Sequence, residues 1–249
     1  MVEQPVENVF VRAWSLLTRN WIIIVPGAIV GIVVGLVKVL LAPTVYVVST
    51  GDYTVTRTAA GLGGGLLITL VALIGYVITI AYTTGMAGAA WARGTATLGD
   101  GTVAFQRDVG RIVLVGIGLV VLALVAAIIA LPTLGLSLLA FYLFTLYAFP
   151  SAIVGDRQAM DALTESFRLT LARFVPTLII AIVIAVLSVI GHVIGGAFSF
   201  TPLIGPVVSA VITQAVVAYA TLVIVGEYLN LRAANQIPPA PPPAAAPPA

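Results

Sequence analysis

Six long apolar stretches constrain this chain more than anything else in it. They run over about 21–42, 64–91, 112–131, 134–154, 174–198 and 203–228. About 20 consecutive apolar residues make a helix that crosses a bilayer core. Only 8% of the residues are charged, against about 25% in soluble domains. A soluble fold is therefore excluded, and the chain reads as an all-α integral membrane protein with six transmembrane helices. Spans three and four are separated only by Pro132-Thr133, and spans five and six only by Phe200-Thr201-Pro202. Turns that short force antiparallel neighbours, so the spans are expected as three hairpins.

Orientation follows from the basic residues. Arg12, Arg19, Arg93, Arg107, Arg111, Arg157, Arg168, Arg173 and Arg232 fall on one side of this layout, and only Arg57 on the other. Both termini are expected in the cytoplasm. The preference for arginine, with abundant Ala, Val and Gly, suggests a GC-rich bacterial genome and hence the bacterial plasma (inner) membrane. The opening "MVEQPVENVFVRAW" has early acids and no basic cap, so it does not read as a signal peptide. A net charge of +2 gives no reason to expect nucleic acid. The absence of cysteine excludes disulfides, thiolate metal sites and cysteine catalysis.

Residues 1–20 read as a cytoplasmic amphipathic helix, 21–232 as the six-span membrane domain, and 233–249 as a Pro/Ala tail that is extended rather than packed. Between the first two spans, "VYVVSTGDYTVTR" (45–57) alternates β-branched and aromatic residues around Thr50-Gly51-Asp52. That pattern predicts a small external β-hairpin, with an irregular loop as the alternative.

Three segments lead into the odd-numbered spans: "ENVFVRAWSLLTRNW" (7–21), "GDGTVAFQRDVGRI" (99–112) and "MDALTESFRLTLARF" (160–174). In each, a bulky apolar residue stands seven before another: Trp14 and Trp21, Phe105 and Ile112, Phe167 and Phe174. A small residue precedes the first of each pair: Ala13, Ala104 and Ser166. The spacing predicts a threefold unit of interfacial helix plus hairpin. Val6, Val9, Phe10, Ala13, Trp14 and Leu17 form an apolar stripe suited to the headgroup region, as do Met160, Leu163, Phe167 and Leu171. Trp14, Trp21, Phe167 and Phe174 are the candidate interfacial anchors. Gly101 and Gly110 weaken the helix expected of the middle segment.

The stretch "FPSAIVGDRQAMDALTESFRLTLARFVPTLI" (149–179), with Pro150, Asp156, Ala162, Leu163, Ser166 and Leu169, resembles a group of uncharacterised six-helix prokaryotic membrane proteins. That group is similar to the membrane domain fused to glycerophosphoryl diester phosphodiesterases, and "AWSLLTRNW" (13–21) looks like its opening. The likeness covers about 5–232 and implies a six-helix fold without a chemistry of its own. The segments outside the spans are too short for a phosphodiesterase domain, so no substrate or metal residue carries over.

Ionisable and polar groups inside spans are the functional candidates. Lys38 lies about 6 Å from the outer end of span one, within reach of a snorkelling side chain. His192 lies about 9 Å below the outer end of span five, with no second histidine to share a ligand. Gln214 is deepest, at about 16 Å, and its amide could bond across helices. Glu227 sits at the inner end of span six, within reach of an arginine. Asp156, Asp161 and Glu165 interleave with Arg157 and Arg168, as a solvated helix face does. At about 100° per residue, Gly27, Gly31 and Gly35 share one face with Lys38. They are expected to form a helix-packing seam against this chain or a partner.

No convergent set of titratable groups is assembled, so no catalytic site, metal or cofactor is expected. The expected role is a non-enzymatic scaffold, assembly factor or accessory subunit, in contact with lipid and with a membrane-protein partner or a second copy. A small-molecule or lipid transporter is the alternative, motivated by Lys38, His192 and Gln214.

Overall fold

The structure is a computed structural model that describes residues 5–41, 44–49, 52–57, 62–198 and 204–233. The tail beyond 233, the Thr50-Gly51 turn and the side chain of Lys38 lie outside the described residues.

Helix α1 (Val6–Arg19) ends at Asn20, whose backbone leaves the helical region and turns the chain through 90°. A short 3-10 turn (Trp21–Ile24) leads into α2 (Val25–Leu41). Pro26 is tolerated there because the first turn of a helix has no use for its missing N–H. Strands β1 (Thr44–Ser49) and β2 (Asp52–Arg57) then pair antiparallel, Thr44 opposite Arg57 and Ser49 opposite Asp52.

Helices α3 (Leu62–Arg93) and α4 (Leu98–Ala130) are both longer than a bilayer requires. At 1.5 Å per residue each is about 48 Å long, against a hydrocarbon core of about 30 Å. Thr97 and Asp100 form a capping box that starts α4, so the middle segment of the repeat is continuous with span three. Gly101 does not break the helix. It gives room to the Tyr82 ring, which a Cβ at 101 would approach to 2.3 Å.

Span four is broken into α5 (Leu136–Thr145) and α6 (Ala148–Ile153). Pro150 is the cause, because it cannot donate to the carbonyl of Leu146 and its ring crowds that carbonyl. Helix α7 (Ala159–Ala172) follows, then α8 (Phe174–Ala197) and α9 (Ile204–Ala233). Five helices are long and apolar enough to cross a membrane, and a sixth span is present if α1 and the helix after its bend are one unit. The chain is a multi-pass helical membrane protein.

The three matched aromatic residues each make a ring contact with a neighbouring helix. Trp14 meets Tyr219 of α9 edge-on at 5.9 Å between ring centroids. Phe105 meets Tyr82 of α3 at 6.1 Å, and Phe167 stacks on Phe144 of α5 at 4.5 Å. In every unit the matched aromatic residue packs on the returning helix of the preceding hairpin, and α1 closes the ring onto the last one. Asn20 and Arg173 share a backbone geometry (φ −123, ψ 50 and φ −135, ψ 53). Arg111, the matching residue of the middle unit, lies inside α4.

The two amphipathic helices face opposite ways. On α1, the stripe residues Val9, Ala13 and Leu17 are buried in a core shared with α3 and α9. Only Trp14 of that central run stays exposed. The expected lipid-facing stripe of α1 is thus mostly a packing seam. On α7, Met160, Phe167 and Leu171 are exposed, and the small and polar face (Ala162, Glu165, Ser166, Thr170) is buried.

Aromatic pairs are worth about 0.5–1.5 kcal/mol beyond area. Double-mutant cycles to alanine on Trp14/Tyr219, Tyr82/Phe105 and Phe144/Phe167, read by unfolding in detergent, should give three couplings in that range.

Candidate functional site

Two linked clusters of polar side chains lie at the arginine-bearing end of the bundle. The hub is Glu165, which faces inward from α7 and is 5% exposed. Ser151 Oγ donates to Glu165 Oε2 at 2.6 Å, and Arg157 Nε donates to the same oxygen at 2.9 Å. Tyr228 of α9 donates to Oε1 at 3.3 Å. Gly155 makes this possible: a Cβ there would collide with Tyr228 Oη and with the carbonyl of Ser151. One carboxylate thus ties the α6–α7 turn to α9.

The same face of α7 repairs the broken span. Ser166 Oγ accepts from the Tyr147 N–H at 3.1 Å and donates to Phe144 O at 2.7 Å. Thr170 Oγ1 donates to Leu143 O at 3.0 Å. Backbone groups exposed by a helix break in an apolar setting must find partners, and here two hydroxyls supply them.

A second cluster lies beside it. Asp108 is 1% exposed. It receives Arg107 Nε at 3.0 Å and Nη2 at 2.8 Å, with Arg111 Nη1 at 3.2 Å. Arg107 also donates to Ile153 O at 3.0 Å, at the end of α6. Arg111 pairs with Asp156 in the α6–α7 turn. Its guanidinium holds the Asp156 carboxyl below the usual carboxylate range. Asn20 performs a third tie: its Nδ2 donates to Leu16 O and Gly94 O, and its Oδ1 accepts from the Ala96 N–H at 2.8 Å. Arg12 lies over the Trp91 ring at 4.6 Å, and Trp91 donates to Leu222 O at 2.9 Å.

The candidates from the sequence are dispersed. His192 is exposed, and its Nδ1 donates to Ser188 O at 2.7 Å. Gln214 packs on α2, where a Cβ at Gly27 would stand 2.3 Å from its Oε1. Glu227 is buried and accepts from Asn230 at 3.3 Å. Trp14, Trp21, Phe167 and Phe174 are all exposed. Gly31 faces Ala210 of α9, 3.1 Å from where its Cβ would be, and among the described residues nothing lies within 4 Å at Gly35. Glu165 is a correction, since it is not part of a solvated face. Its signal was present in the spacing Ala162, Ser166, Leu169, which marks a small-residue face that Glu165 adjoins.

Among the described residues no group of three or more His, Asp or Glu could hold a metal. A groove of about 460 Å³ opens on the flank of α3 and α4, lined by Leu73, Val77, Phe105, Ile112, Ile117 and other apolar residues. Comparison with known proteins finds no matching family model, curated protein or solved structure.

Removing one partner of a buried ion pair costs about 3–5 kcal/mol. Glu165→Ala should lose that much in unfolding free energy, whereas exposed Asp161→Ala should stay within about 0.5 kcal/mol. Overpacking costs about 1–3 kcal/mol. Gly31→Leu should show it on the same unfolding assay.

Proposed function

We propose that this chain is a non-enzymatic scaffold or accessory subunit that binds other membrane proteins, with both termini on the cytoplasmic side of a bacterial inner membrane. The observation that carries this reading is the groove on α3 and α4. It is apolar along its length and opens sideways from the bundle, as a site for a partner helix does. The arginine-bearing end adds support. Its buried acids are engaged in ion pairs or hydrogen bonds, and fully buried Met86, Tyr147 and Leu222 fill the space between the three units.

One observation favours a transporter instead. Span four runs as one apolar segment from Leu136 to Ile153, but its regular helix is interrupted at Leu146-Tyr147 close to buried Glu165, and interrupted helices are a feature of transporter sites.

A photoreactive residue at Ile117, in the groove, separates the two when compared with one at Val186, which is exposed on α8. Illumination of native membranes should give a discrete protein adduct at 117 and none at 186. Lipid adducts alone at both positions, with solute flux from reconstituted vesicles, would move the assignment to a transporter.

A further inference from the structure

Helix α7 turns an apolar stripe away from the bundle, and its connections fix where that stripe lies. Span four closes at Ile153, and α8, a span in its own right, starts at Phe174. Residues 154–158 lead into α7, and Arg173 alone separates it from α8. On the inner side, Ser166 and Thr170 donate to backbone carbonyls of α5, and Glu165 accepts from Ser151 of α6. Held by a span at each end and along one side, α7 lies at the boundary where the spans leave hydrocarbon. At about 100° per residue, Met160, Phe167 and Leu171 fall within about 40° of one another. All three are exposed. A helix with one apolar and one polar side settles at headgroup level, so lipid is what this stripe meets.

Arg168 stands beside the stripe. It lies about 80–100° round from it, as Asp161 does, and both residues are exposed. Arg93, Arg107, Arg111 and Arg157 each pair with an acid. Arg12 and Arg232 lie over the rings of Trp91 and Tyr228. The Arg168 side chain has no ion pair, hydrogen bond or ring contact among the described residues. Glu165, three positions before it, is turned inward and engaged by Arg157. Asp161 is seven positions away, about 10 Å along the helix, which is too far to pair. An uncompensated guanidinium at the rim of a lipid-facing stripe calls for an anion at headgroup height. Its planar fork of donors matches a phosphate.

We infer that α7 is a docking site for anionic phospholipid of the adjoining leaflet. The acyl chains lie along Met160, Phe167 and Leu171, and Arg168 holds the phosphate. Such a site serves a scaffold and a transporter alike.

Native mass spectrometry tests it, with the full chain released from nanodiscs of phosphatidylcholine and phosphatidylglycerol in equal parts. The wild type should retain phosphatidylglycerol over phosphatidylcholine. Arg168→Gln should lower that preference about fivefold, the weight of one arginine at an anionic surface. Arg168→Lys should keep most of it, because the charge remains. Arg93→Gln removes an exposed arginine that Asp100 already pairs, and should leave the preference unchanged. The Arg168 side chain contacts no described residue, so its variants should unfold at the wild-type temperature, which separates loss of lipid from loss of fold. No preference in the wild type, or an equal loss in Arg93→Gln, overturns the site. A photoreactive residue at Leu171 gives a second reading in native membranes. Lipid adducts there support the site, and a discrete protein adduct overturns it in favour of a protein partner.

Discussion

Pro150 sets the problem that the arginine-bearing end of the bundle solves. A proline within a span cannot donate to the residue four before it, and in hydrocarbon no water makes up the difference. Regular helix is interrupted at Leu146-Tyr147, and α7 bonds to the backbone on either side of the interruption through Ser166 and Thr170. To do so α7 must turn its polar face inward. Glu165 lies on that face and is buried with it, which obliges Ser151, Arg157 and Tyr228 to converge on its carboxylate. The interruption of span four, the inward polar face of α7 and the charge cluster beside it thus go together.

The contrast between α1 and α7 follows from the same point. They occupy matching places in the repeat, and both pack on a returning helix through an aromatic pair. The helix that receives α1 is the unbroken α9, so apolar residues such as Val9 and Ala13 fill the contact. The helix that receives α7 is broken and polar at the contact, so the apolar stripe is left facing outward. In a membrane that outward stripe is no liability, since lipid is the solvent there. A shared topology therefore supports two opposite amphipathic faces.

Much of this was legible in the sequence. The apolar stretches and the two short connections mark out the helices, because a spanning segment requires length and hydropathy and little else. The aromatic spacing 14, 105, 167 finds the three equivalent contacts, because one residue type at one register is what such a contact needs. The burial of Glu165 and Asp108 was not legible. A charged residue on an amphipathic helix has the same local pattern whether its partner is water or an arginine on another helix.

Depth sorts the polar groups by what each would cost to bury. The ion pairs of Glu165 and Asp108 lie at the ends of α6 and of the α6–α7 turn, where arginine heads remain partly exposed. Further along α9, Gln214 is a neutral carboxamide and Ser209, Thr213 and Thr221 are neutral hydroxyls. Moving a charge into hydrocarbon is far costlier than moving an amide, so this order minimises the penalty while keeping helices in register.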